Sequence, residues 1–289
     1  MDNSDQKGLY IPQLEKDSCG VGLFANLTGE KKHKVVDKAL TMLENMEHRG
    51  ACGCEPETGD GAGILVQTPH DFFKLVSGKL GFTLPDFGEY GVLMCFMPKS
   101  EKLYNKIITQ TLQLIAQSNF HTLGQREVPV NNSGLGLSAL NTEPRMIQLF
   151  VSPNSKLAVK ELERQLYVLR KYIIHSLYKF FPEVEDTFYI SSSSYKTIIY
   201  KGQLTTHQLR SYFPDLQNEA FTSAIAIIHS RFSTNTIPKW KLAQPFRYIA
   251  HNGEINTIMG NLNWWRAKED HLQSDIFSAE DNLMLKPIP

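Results

Sequence analysis

The sequence predicts a layered α/β fold, because short apolar strand candidates alternate with amphipathic helix patterns along most of the chain. Its 289 residues are 42% hydrophobic and 21% charged, close to the average for globular proteins. That length allows one large domain with a sizeable core. The pattern alone does not decide whether the sheets are parallel or antiparallel.

The first predicted strand covers residues 20–27 (GVGLFANL) and opens directly after Cys19. An amphipathic helix follows, with apolar residues at helical spacing from Val35 to Met46, and Gly50 is placed to end it. A loop rich in Gly, Asp and Pro then leads into a strand at 64–66 and a helix at 70–80.

The rest of the chain repeats this alternation. Strands are predicted at 91–97, 146–152, 188–192, 197–200 and 223–229, and helices at 100–117 and 160–181. The last residues, 282–289, contain no terminating element. We therefore expect a sequence cut at its C-terminal end.

Charge and cysteine usage narrow the functional class. With 30 basic and 30 acidic side chains, the chain lacks the footprint of a nucleic-acid or membrane-surface protein. It shows no signal peptide, transit peptide or spanning segment, so we expect the cytoplasm, or the stroma of a plastid that encodes the protein. Four cysteines without ligand or disulfide spacing indicate a reducing compartment and no metal site.

Cys19 is a candidate nucleophile. Small residues, Gly20 and Gly22, follow it and would let a substrate approach the backbone beside the sulfur. A thiol needs a base, and if Cys19 were the first residue, its own α-amine, with a pKa of roughly 8, would be close enough to take the proton. The alternative is a small buried residue at the start of a strand.

Two polar loops that follow apolar strands are candidate binding segments. In HSRFSTNT (229–236), Arg231 offers a donor fork that matches a carboxylate, and Thr234 and Asn235 add hydrogen bonds to the same anion. In HNGEIN (251–256), the Asn252 side chain and the Gly253 amide suit an oxyanion hole. The alternatives are a surface ion pair and a simple turn.

Two further features are weaker signals. The loop at 58–63 (TGDGAG) has neither Walker nor dinucleotide spacing, so it gives only a weak indication of a phosphate site. The Trp264-Trp265 pair is interpreted as core or interface packing rather than as a cofactor platform.

Seven motifs, in the same order along the chain, resemble those of a known protein family. They are DSCGVG (17–22), HRGACGCEPETGDGAGI (48–64), NNSGLG (131–136), SALNTEP (138–144), YKG (200–202), HSRFSTNT and HNGEINT. Together they closely resemble the class II glutamine amidotransferase domain of glutamate synthases, and the wording is most similar to the ferredoxin-dependent branch. The resemblance implies an α+β, N-terminal-nucleophile hydrolase fold, a four-layer αββα sandwich of two antiparallel sheets. It also implies a propeptide at 1–18 and the amidotransferase domain at 19–289, truncated at its C-terminal end.

The resemblance also implies a role for each matched residue. Cys19 would attack the γ-amide of L-glutamine, with its α-amine as base, and Asn252 and Gly253 would hold the oxyanion. Arg231, supported by Thr234 and Asn235, would bind the substrate α-carboxylate, while Arg49 would order the N-terminus and nearby loops. The aspartate that binds the substrate α-amino group in the family would follow residue 289.

In the full-length enzymes of this family, the released ammonia passes to 2-oxoglutarate. We expect that step to use FMN, an iron-sulfur cluster and an electron donor such as ferredoxin, none of which has a binding segment in this chain. Two alternatives stay open at this point. One is another class II amidotransferase, and the other is a non-catalytic structural or interaction fragment of the same fold.

Overall fold

The computed structural model describes residues 20–50, 55–230, 237–246, 258–269, 271 and 274–286. At positions 49, 258 and 283 the description covers the backbone alone. Within these ranges the chain forms two four-stranded antiparallel sheets with helices packed against them.

The first sheet has the strand order β1-β8-β2-β7. Its strands are β1 (Val21–Ala25), β2 (Ala62–Gln67), β7 (Thr197–Gly202) and β8 (Ile225–Ser230). Helix α1 (His33–Glu44) packs along β1 and β8, burying its apolar side, which the sequence places at helical spacing. Helix α2 (His70–Lys79) follows β2.

The second sheet has the order β4-β5-β3-β6. It consists of β3 (Gly91–Met97), β4 (Phe120–Glu127), β5 (Arg145–Pro153) and β6 (Tyr189–Ser194). Helices α3 (Glu101–Gln117) and α5 (Val159–Phe180) cover one of its faces, where Leu93, Cys95 and Met97 join one apolar cluster with both helices. The opposite face, with Val92, Met94 and Phe96, belongs to a larger cluster shared with the first sheet.

Short helices complete the described chain: α4 (Leu137–Thr142), α6 (Gln208–Tyr212), α7 (Ile258–Glu269) and α8 (Ala279–Leu285). A polar network also joins the two sheets. Arg126 of β4 and Tyr200 of β7 both bond the carboxylate of Asp215, at 2.6 and 2.8 Å. Both groups are buried, and burial raises the pKa of Tyr200, so its phenol stays protonated as the donor.

These elements confirm the α+β class and are consistent with the N-terminal-nucleophile hydrolase sandwich implied by the resemblance. They also decide the strand direction that the sequence left open, since every ladder is antiparallel. Of the two kinds of packing predicted for the tryptophan pair, core packing is not found, because 70% of Trp264 and 45% of Trp265 are exposed on α7, and interface packing stays a prediction. None of the described helices is long and apolar enough to cross a membrane.

Candidate active site

The site is framed by the ends of two neighbouring strands. β1 and β8 run antiparallel, and the Ser230 amide donates to the Gly20 carbonyl at 2.7 Å. Cys19 is bonded to Gly20 and Arg231 to Ser230. Because the two strands are antiparallel neighbours about 5 Å apart, the chain enters β1 and leaves β8 side by side, at the same end of the sheet. The motif with the predicted nucleophile and the motif with the predicted carboxylate-binding arginine are therefore joined at this end.

The start of the motif at 48–64 reaches the same end of the sheet. The turn Glu47–Arg49 is a short 3₁₀ helix that ends at Gly50. A Cβ built on Gly50 would lie 3.3 Å from the Ser230 hydroxyl, so the backbone after Arg49 packs against the last residue of β8. Glu47 pairs with His207 at 3.1 Å on the exposed side of this turn.

Small residues form a row across this end of the sheet. Ser230 pairs with Ala62, which in turn pairs with Gly202, and Gly20 lies at the β1 end of the row. The Ser230 side chain is buried, and its hydroxyl has no hydrogen-bond partner among the described atoms. Because the side chains of this row are short, other segments approach its backbone closely, as Gly50 does at Ser230.

Residues 237–246, which we call the strap, cross the end of β7. A Cβ on Gly202 would collide with the Trp240 ring, and one on Gly63 would meet the Gln244 carbonyl and, at 3.1 Å, Pro245 Cδ. The Trp240 indole donates to the Ala139 carbonyl at 3.1 Å. The strap connects residues 231–236 with residues 247–257, so it links the two predicted binding loops.

Motifs to which the sequence assigned no role turn out to hold the neighbouring loops together. The Glu55 carboxylate accepts from the Thr58 hydroxyl at 2.7 Å and from the Ser138 amide at 3.1 Å, and these bonds lower its pKa. Glu143 of SALNTEP is buried and bonds Tyr212 and Lys99, both at 2.7 Å. The signal that could have identified Glu143 is an acid within an otherwise uncharged motif beside a short helix.

The structure describes the chain neighbours of the predicted site residues, but not most of those residues themselves. Cys19, Arg231, Thr234, Asn235, Asn252 and Gly253 lie outside the described residues, as does the apolar segment at 248–250 that precedes HNGEIN. Arg49 is described by its backbone alone. Their roles stay predictions, and the structure contributes the positions of the residues that adjoin them.

Other candidate chemistries find little support in the described ranges. No three His, Cys, Asp or Glu side chains there cluster closely enough to hold a metal ion. Cys95 is fully buried on β3, and burial raises the pKa of its thiol, so it is a poor nucleophile. A cavity of about 620 Å³ lies beside the strap, lined by Phe96, Tyr189 and Trp240, and its lysines are paired with acids, as Lys239 is with Asp186 at 2.8 Å.

Comparison with known proteins identifies the family of the chain. Residues 19–289 match the model of the family described as class-II glutamine amidotransferases. The glutamate synthase [NADPH] large chain of Bacillus subtilis is 44% identical over 96% of this chain, and 18% of that protein is covered. The ferredoxin-dependent glutamate synthase 2 of Synechocystis is 40% identical over 99% of the chain, with 18% of its own length covered.

The chloroplastic ferredoxin-dependent glutamate synthase of Spinacia oleracea is 41% identical over 96% of the chain and is covered over 17% of its length. The chain thus spans less than a fifth of these three relatives. Relatives with NADPH and with ferredoxin in their names match at similar identity, so the electron donor is not distinguished. With the family model matched from the proposed nucleophile to the last residue, the chain belongs to the class-II glutamine amidotransferases.

Proposed function

We propose that this chain is the glutamine-hydrolysing part of a glutamate synthase, with Cys19 as nucleophile after removal of residues 1–18. The observation that carries the proposal is the backbone hydrogen bond between Ser230 and Gly20, because it joins the Cys19 and Arg231 motifs at one end of the sheet. The family match and the glutamate synthase relatives support the same assignment.

In the proposed reaction, the freed α-amine of Cys19 takes the thiol proton, and the sulfur attacks the γ-amide carbon of L-glutamine. The Asn252 side chain and the Gly253 amide stabilise the tetrahedral oxyanion, each contributing roughly 3 kcal/mol in comparable sites. The C–N bond then breaks, ammonia leaves with the transferred proton, and water hydrolyses the thioester to glutamate.

Substrate binding is assigned to the loop after β8. Arg231 pairs with the α-carboxylate, with Thr234 and Asn235 beside it, and Arg49 orders the loops around the new N-terminus. In the longer enzyme, ammonia would aminate 2-oxoglutarate, using FMN and an iron-sulfur cluster bound outside this chain. Reducing equivalents would come from ferredoxin or a nicotinamide nucleotide, as the relatives' names suggest for those proteins.

The test is intact mass and N-terminal sequencing of the purified protein, with and without the glutamine analogue 6-diazo-5-oxo-norleucine. The expected product begins at Cys19 and gains one adduct on that sulfur. A matched variant, Cys95→Ala, should label equally, because Cys95 is buried away from the site. A protein that keeps residues 1–18 and takes no label would instead support the non-catalytic alternative.

A further inference from the structure

Lys201 is a buried lysine without a carboxylate partner in the described part of the chain. It lies on β7, within the YKG motif, and none of its surface is exposed. Removing an ammonium group from water is costly unless other groups replace its hydration. The nearby cation Arg170 adds to burial in lowering the pKa of Lys201. A purely structural position would be filled more favourably by an apolar side chain.

The contacts of Lys201 lead to the strap. Its Nζ donates to the Lys241 carbonyl at 2.9 Å and lies 4.4 Å from the centre of the Phe246 ring. The Tyr189 ring, 4.8 Å away, closes another side of the amine. One nitrogen therefore holds two points of the strap on either side of Gln244 and Pro245, through a hydrogen bond and a ring contact.

The strap is seated on both faces of the sheet at this end. Consecutive residues of a strand point to opposite faces, so the side of Gly202, occupied by Trp240, faces away from the side of Lys201. On the Lys201 side, the missing side chain of Gly63 makes room for the Gln244 carbonyl. Trp240 and Lys201 thus fix successive parts of one segment as it crosses the strand.

The strap continues directly into the two loops proposed to bind glutamine. Before it lie Arg231, Thr234 and Asn235, and after it lie Asn252 and Gly253. We propose that Lys201 is a positioning residue for the glutaminase site, holding the strap so that the carboxylate-binding and oxyanion segments keep their spacing. This inference rests on the proposed function.

The test compares two substitutions of Lys201 in the processed protein. Lys201→Met keeps an unbranched stem but loses the donor, whereas Lys201→Gln keeps an N–H donor for the Lys241 carbonyl. We expect Lys201→Met to lower kcat/KM for glutamine between about tenfold and about 100-fold, the range that a small misplacement of reacting groups produces. Its thermal midpoint should equal or exceed that of the wild type, because the desolvation cost of burying the amine is removed.

Lys201→Gln should recover most of the activity, and Lys239→Met should leave it unchanged. Lys239 lies on the same strap, but its ion pair with Asp186 is exposed. Wild-type kinetics in Lys201→Met would overturn the inference, as would equal losses of activity and stability in both Lys201 variants. A wild-type protein that neither hydrolyses glutamine nor takes the label would fail at the proposed function itself, and the inference would fall with it.

Discussion

The side of the second sheet that faces α3 and α5 and the strand ends of the first sheet are built on opposite principles. On the α3–α5 side, β3 contributes Leu93, Cys95 and Met97 to an apolar cluster, and its fourth inward position, Gly91, is covered by the Leu166 side chain. At the strand ends, the row contains Gly20, Ser230, Ala62 and Gly202. The first arrangement maximises the burial of apolar side chains, whereas the second lets other segments of the chain approach the backbone closely.

Buried ionisable groups occur in both regions, but in different settings. His229 and Lys201 flank Gly63 in one row of the first sheet, and both are buried. The α3–α5 side buries Cys95, whose thiol stays neutral because burial raises its pKa. The Arg126–Asp215 pair shows that charges are also buried elsewhere, but those two groups pair with each other, whereas Lys201 has no carboxylate partner among the described residues. We therefore expect stability and the proposed chemistry to depend on different regions of the chain.

The largest expected effect comes from removing one sulfur at each location. Cys19→Ala should lower glutaminase activity by at least about 10⁴-fold, because no other group replaces the nucleophile. Its free energy of unfolding should change little. Cys95→Ala should do the reverse, costing about 1–3 kcal/mol of unfolding free energy through lost packing while activity is kept. Glutamate release and urea denaturation measure the two quantities, and a Cys95→Ala protein that loses activity but not stability would break the comparison.

A second test concerns the polar network that connects the sheets. Asp215→Asn leaves the buried Arg126 guanidinium, which bonds the carboxylate at 2.6 Å, without its counter-ion. Breaking a buried pair from one side should cost about 3–5 kcal/mol of unfolding free energy.

The matched control is Glu127→Gln on the same strand as Arg126. Glu127 pairs with Arg145 at 2.8 Å, but 55% of its side chain is exposed. That change should cost less than about 1 kcal/mol. Equal losses in the two variants would show that the buried network does not join the sheets energetically.

Most of the elements were predictable because their hydrophobic periods are clean. The strand predicted at 91–97 matches β3, and the helix predicted at 100–117 differs from α3 by one residue. β4 was missed, since its letters, FHTLGQRE, include a glycine and several polar residues and lack a continuous apolar run. It is held instead by its ladder to β5, which is a tertiary effect that local patterns do not carry.

Only those parts of the site that sequence motifs mark could be predicted. Residue type and order identified the nucleophile and the binding loops as candidates, and the resemblance assigned their roles. Sequence could not show that Gly50 packs on Ser230 or that Lys201 reaches the Lys241 carbonyl, because both contacts join residues far apart in the chain. Strand pairing creates these contacts, and the pairing order was not readable from the sequence.

The smallest expected effect is on the pH dependence of stability, at the end of the first sheet opposite the site. His70 begins α2 soon after β2, and its Nδ1 lies 3.0 Å from the Tyr90 hydroxyl. Burial, with help from Lys74, lowers the pKa of His70 below its ordinary 6.5. Folding therefore favours the neutral ring, and its contribution to stability is complete above pH 6.5 and declines as the pH falls through the folded-state pKa.

His70→Gln keeps a polar group but cannot be protonated, so stability should decline less steeply below pH 6.5 than in the wild type. Urea unfolding at a series of pH values between about 7 and 5, a range that brackets the ordinary histidine pKa, measures this difference. The pH profile of kcat/KM should stay the same in both proteins, because His70 lies at the far end of β2 from Ala62. A shifted activity profile would mean that the two ends of the first sheet are coupled, contrary to the separation of stability from chemistry.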